Sequence, residues 1–116
     1  MKDKAILLEP VCLKTLAAVE AHPDESNQHE FNGVSALKSF LGEDRKKFPA
    51  TFQLRGTTIT DQVMVTWYDA RENTPDRSEY RLYFQTNKVM ELASAGQNIL
   101  IGLDKNKHLN FILIPS

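Results

Sequence analysis

A chain of 116 residues with net charge −1 and a pI near 6.3 has room for one domain (1–116) with a single core. That charge excludes a coat protein whose affinity for nucleic acid rests on phosphate neutralisation alone, but not a reader that works through base contacts. Hydrophobic content of 41% and charged content of 25% are those of an ordinary globular protein, and no apolar run approaches the roughly 20 residues of a membrane span.

Glu9 and Pro10 interrupt the N-terminal apolar run where a signal peptide would continue. Cys12, the only cysteine, has no internal disulfide partner. Both features fit a reducing cytoplasm and no membrane association. Residues 5–21 are locally ambiguous: Leu, Ala, Glu and Lys favour helix and Pro10 could open one, yet Leu13, Thr15, Ala17 and Val19 share a face at period two. Propensity alone leans to helix.

Residues 22–30 (HPDESNQHE) form a polar loop, and Asn32-Gly33 marks a change of direction. Val34, Leu37, Phe40 and Leu41 make the apolar stripe of a short helix that Gly42 ends. A charged connector, EDRKK, leads into the strand FPATFQLR. In DQVMVTWYD, Val63, Val65 and Trp67 alternate with Met64, Thr66 and Tyr68, which predicts a strand with one core face. EYRLYFQ repeats the pattern, setting Tyr80, Leu82 and Phe84 against Glu79, Arg81 and Tyr83. TNKVMELASAG reads as a second short helix capped at Thr86 or Asn87. NILIGL, the turn DKNK and HLNFILI close the chain as a hairpin. Several strand candidates and two short helices, without repeats, predict a small, mainly β barrel.

The two strands over 61–69 and 79–85 are joined by a long polar arm rather than a tight turn. That arm and its flanks hold Asp69, Arg71, Arg77, Ser78, Glu79, Tyr80 and Arg81. Such side chains suit base edges: Arg pairs with guanine O6 and N7, Asn or Gln with adenine, Asp or Glu with the cytosine amino group. The same alternation also describes a plain solvated sheet face, with Glu79 and Arg81 simply paired.

The block NQHEFNGVSALKSFLG (27–42), then FPATFQL, WYDAR, RSEYRLYFQTN and a C-terminal hairpin, resembles the N-terminal effector-binding domain of the EcoRII restriction endonuclease. It also resembles recognition domains of the NgoFVII and BfiI kind, which share a DNA-binding pseudobarrel with plant B3 transcription factors. The resemblance runs from about Leu13 to Ile114. It implies a seven-stranded open pseudobarrel with two short helices and a strand over about Leu13–Glu20. It further implies sequence-specific binding of double-stranded DNA in the major groove by two loops on the same side of the sheet.

Carried residue by residue, the first loop matches Ser26, Asn27, Gln28, His29 and Glu30, and the second matches Asp69 to Arg81. His29 and Lys46 are the expected phosphate contacts, with Arg45, Lys47 and Lys88 as further candidates. The chain departs from the family's pattern where it has Pro75 and Tyr80 in place of lysine, and where its first loop carries little positive charge. Such a domain serves a nuclease in the same or a partner chain, and has no catalytic site of its own and no cofactor.

The residues agree with that expectation of no catalysis. PDRSEYR only superficially has the PD-(D/E)xK form: its acids lie on one segment, and arginine stands where the lysine belongs. His22, Asp24 and His29 have no cysteine partners at zinc-ligand spacing, and no phosphate loop or nucleophile elbow occurs. The rival class is a small β-barrel module that binds a peptide or protein without DNA specificity, for which the acidic net charge speaks.

Overall fold

The structure is a computed structural model that describes residues 7–21, 29–32, 34–71, 73 and 78–115. Seven strands form one sheet: β1 (Val11–Thr15), β2 (Glu30–Phe31), β3 (Lys46–Leu54), β4 (Thr60–Asp69), β5 (Tyr80–Phe84), β6 (Asn98–Leu103) and β7 (Leu109–Ile114). Their order is β1-β6-β7-β3-β4-β5-β2. All neighbours are antiparallel except β3 and β7, which run parallel. The sheet curves into a half-barrel, the expected open pseudobarrel, with β1 and β2 as its two edges.

The core follows from the alternation along the strands. Val65 and Trp67 of β4, and Leu82 and Phe84 of β5, are fully buried on one face. They meet Ala50 and Phe52 of β3 and Phe111 and Leu113 of β7. Four phenylalanines fill the centre: Phe52 stacks on Phe111 at 4.3 Å between centroids, and Phe31 packs on Phe84 at 4.7 Å and on Phe111 at 5.7 Å. Each buried aromatic removes a large apolar area from water, at roughly 25 cal/mol per Å². Trp67 and Tyr80, stacked at 5.0 Å, reach polar partners at the rim: indole Nε1 donates to the Gly42 carbonyl and the phenol to the Glu43 carbonyl, both at 2.9 Å.

The first helix prediction holds. A 3₁₀ turn (Ser35–Leu37) runs into helix α2 (Lys38–Leu41), which ends at Gly42. Gly42 adopts φ 83°, a region L side chains avoid, and its N–H donates to the Lys38 carbonyl at 2.9 Å.

The second helix prediction fails in extent, because only one 3₁₀ turn (Met90–Leu92) forms. Asn87 does cap it, its Oδ1 accepting from Met90 N at 2.9 Å. Ala93 is already extended, and the backbone then turns to pair with Leu16, through Gly96 N to Leu16 O at 2.9 Å and Leu16 N to Gln97 O at 2.8 Å. Tertiary pairing outweighs local helix propensity here.

Within residues 7–21, β1 covers Val11–Thr15, so the strand expected over about Leu13–Glu20 ends at Thr15, and a single helical turn, α1 (Ala18–Ala21), follows. The strand stops where Glu20 folds back. Its side chain, 1% exposed, accepts from Ala17 N and Asn32 N at 2.7 Å each and pairs with Lys14 Nζ at 3.0 Å. Lys14 lies on edge strand β1 and Asn32 directly follows edge strand β2, so one buried carboxylate ties the two edges of the open sheet. A buried charge is tolerated only when its partners are all present, and removing one side typically costs about 3–5 kcal/mol. Glu20→Ala should therefore lower the unfolding free energy by about 3–5 kcal/mol in urea titration, and Glu20→Gln by less, since the amide oxygen still accepts one N–H.

Candidate nucleic-acid interface

Cross-strand register places side chains in rows on the outer face of the sheet. Lys47, Thr66, Tyr83 and Glu30 form one row across β3, β4, β5 and β2. Tyr68 and Arg81 form the next, with the Arg45 guanidinium 5.2 Å from the centre of the Tyr68 ring. Glu79, two residues before Arg81, adds its carboxylate at the end of β5.

One polar chain links these groups. Tyr68 OH donates to Glu30 Oε2, and Glu30 Oε1 pairs with Arg81 Nη1 at 3.5 Å. Arg81 Nε donates to Glu79 Oε2 at 2.9 Å, and Arg81 Nη2 pairs with the same oxygen. Glu79 Oε1 accepts from Arg71 Nε at 3.0 Å. The Glu79 carboxyl is held below the usual carboxylate range, first by the Arg81 hydrogen bond and then by Arg71. Burial, the Glu30 hydrogen bond and the Glu30 charge push the Tyr68 phenol up to about 12, against an opposing pull from Arg81.

Asp69 has a different task. Its Oδ1 accepts from Arg71 N at 2.9 Å and Glu79 N at 2.8 Å, while Ala70 N donates to the Glu79 carbonyl at 2.8 Å. These bonds pinch the base of the 70–79 loop. Asp69, expected at a base edge, thus serves the loop's own backbone.

Three further expectations change. Tyr80 faces the core against Trp67 and is 9% exposed, so it cannot reach a base. Its neighbours' alternation had already put it on the inward face. Lys46 pairs in register with Trp67 and lines a groove of about 430 Å³ with Leu41, Phe48 and Leu109, on the opposite face from Arg81. Lys47, one residue on, points with the Arg81 cluster instead, because a strand alternates its faces. Arg81 keeps its place but all three of its guanidinium nitrogens are engaged by Glu79 and Glu30.

His29 is half-buried at the far end of β5. Its carbonyl accepts from Phe84 N at 2.8 Å, and its Nε2 lies 3.0 Å from Thr86 Oγ1. Ser78 is exposed at the loop base. Ser26, Asn27, Gln28 and Arg77 lie outside the described residues, as do Asp76, His22 and Asp24. His29 and Glu79, the described ends of the two loops, therefore lie at opposite ends of β5. Five residues of strand separate their bases, roughly 17 Å at about 3.4 Å per residue.

Among the described residues, no three His, Cys, Asp or Glu side chains gather as a metal site would need, and no helix is long and apolar enough to cross a membrane. No protein-family model, curated protein or solved structure matches this chain.

The raised Tyr68 pKa fixes a sign. A phenol that titrates near 12 in the fold, against its ordinary 10.0, adds stability in full below about pH 10 and loses it as pH rises to about 12. In Glu30→Gln, which removes the carboxylate charge and keeps one acceptor oxygen, ultraviolet titration at the tyrosinate band should place Tyr68 below its wild-type value.

Proposed function

We propose that this chain is a sequence-specific double-stranded DNA-binding domain, the recognition unit of a type II restriction endonuclease, acting in the cytoplasm beside a nuclease in the same or a partner chain. The observation that carries the reading is the outer face of β4, β5 and β2. Tyr68, Glu30, Arg81, Glu79 and Arg71 form a row of donors and acceptors there, flanked at both ends of β5 by a polar loop. Loop bases roughly 17 Å apart suit partners that enter a major groove about 12 Å wide from its two walls.

The segment order resembling the EcoRII-type recognition domains supports the same function and a B3-like fold. Recognition then rests on base edges, with the chemistry left to the nuclease and no cofactor needed. Arg45 and Lys47, on the same face, are the phosphate contacts this geometry favours in place of Lys46.

The near-balance of charge on the face suits discrimination better than affinity. Arg45, Lys47, Arg71 and Arg81 stand against Glu30 and Glu79, with Asp69 at the loop base. Phosphate contacts supply affinity without sequence information, whereas base contacts discriminate.

A second reading, a protein- or peptide-binding module, has its own observation. On the outer face of β1 and β6, Leu13 and Leu100 lie side by side in register, and Leu13 and Val11 are 59% and 47% exposed. Exposed apolar residues grouped in this way mark contact surfaces.

Selection from a randomised duplex library should enrich one short sequence, and gel shifts should separate it from scrambled duplex at moderate salt. Equal, weak binding to every duplex removes the DNA reading and leaves the second. On the enriched site, Lys47→Ala should weaken binding to all sequences alike and reduce the salt slope by about 1.

A further inference from the structure

We infer that Arg71 is the guanine-reading residue of this face and that Glu79 is the positioning residue that aims it, an assignment that rests on the DNA reading above. The described arginines of the second loop differ in what their guanidinium groups have left to offer. Arg81 is 30% exposed and each of its three nitrogens meets a carboxylate: Nε and Nη2 go to Glu79, and Nη1 to Glu30, which is 15% exposed. Three of the five guanidinium N–H donors of Arg81 are thus committed to two carboxylates.

Arg71 is 46% exposed and gives up only Nε, to Glu79 Oε1 at 3.0 Å. Among the described residues, its Nη1 and Nη2 have no hydrogen-bond partner. That end-on pair of donors is the edge that meets guanine O6 and N7 bidentately.

Arg71 is also held at two points rather than one. Its backbone N–H donates to Asp69 Oδ1 at 2.9 Å, in the pinch that closes the loop base, and its side chain is fixed at Nε. Glu79 is itself fixed, because Asp69 Oδ1 accepts from its backbone N–H at 2.8 Å and Arg81 grips its other carboxylate oxygen. A long side chain that is already ordered loses less rotamer freedom on binding, and bidentate recognition demands orientation as well as charge.

The arrangement assigns the three charged groups distinct work: Arg81 fixes Glu79, Glu79 fixes Arg71, and Arg71 meets the base. A phosphate contact would need no such aiming, since phosphates accept from many directions and carry no sequence information.

The test uses the full chain and the duplex enriched by selection, together with duplexes changed one base pair at a time. Wild type should prefer one G·C pair over its substitutes by at least about tenfold at one position. Arg71→Ala should abolish the preference at that position alone and keep it at the others. Glu79→Gln, with backbone contacts intact, should shrink the same preference and no other.

If Arg71→Ala instead weakens every duplex equally and lowers the salt slope by about 1, Arg71 is a phosphate contact and the assignment is overturned. If Glu79→Gln tightens binding to all duplexes alike, Glu79 only offsets charge and its positioning role is overturned. A wild-type chain with no preferred duplex removes the DNA reading itself, whereas a clear preference that survives Arg71→Ala removes this assignment alone.

Discussion

A sheet that curves without closing keeps two edges, and the Glu20 carboxylate is what holds them together here. It reaches Lys14 on β1, Ala17 at the turn after it, and Asn32 just beyond β2. Strand β2 has only two residues in register with β5, too few ladder bonds to fix it without help. The bond from Asn32 N to Glu20 supplies that help from the opposite edge. Glu30 is thereby set where Arg81 and Tyr68 can meet it. A continuous run of polar contacts then follows through Glu30, Arg81 and Glu79 to Arg71, so the geometry of an exposed guanidinium traces back across the sheet to a buried acid.

The loops are built by one device used twice. Glu20 Oε1 and Oε2 accept backbone N–H groups on either side of the 22–28 loop, and Asp69 Oδ1 does the same across the 70–79 loop. A carboxylate on backbone amides forms strong, charge-assisted bonds and leaves no buried donor unsatisfied. Long polar excursions would otherwise fray from their bases inward. Acidic residues near the candidate interface thus serve mainly to shape it. A net charge of −1 therefore does not oppose the proposed DNA reading, because the carboxylates there face amides and guanidinium groups of the protein itself.

The strands were legible because their alternation is strict. Val65, Trp67, Leu82 and Phe84 declare one face as core, and the structure buries all four. The hairpin over 98–114 was equally plain, since DKNK separates two apolar runs and Asp104 accepts amide donors from Asn106 and His108 in the turn. The single turn at Met90–Leu92 was not, because pairing of residues 96–97 with Leu16 is non-local and leaves no trace in propensity.

Site residues divided in the same way. Parity along a strand already set Tyr80 inward, and it could have exchanged Lys46 for Lys47 once β3 was registered on β4. The engagement of Arg81 by Glu30 was beyond reach, since 51 positions separate them and only the pairing of β2 with β5 brings them together.

Strand β3 separates a strongly polar part of the outer surface from one that carries exposed apolar side chains. Toward β5 and β2 it is Lys47, Tyr68, Arg81 and Glu30, groups whose hydrogen-bonding capacity is directional. Toward β6 and β1 it carries Leu100 and Leu13, groups that gain only by excluding water, beside the polar pair Asn98 and Thr15. A duplex laid along the polar part would leave the apolar part facing away from it. The two functional readings therefore concern different strands of one sheet and do not compete for surface. On the DNA reading proposed above, the polar part would discriminate among base pairs, and the apolar part would be left to pack against protein.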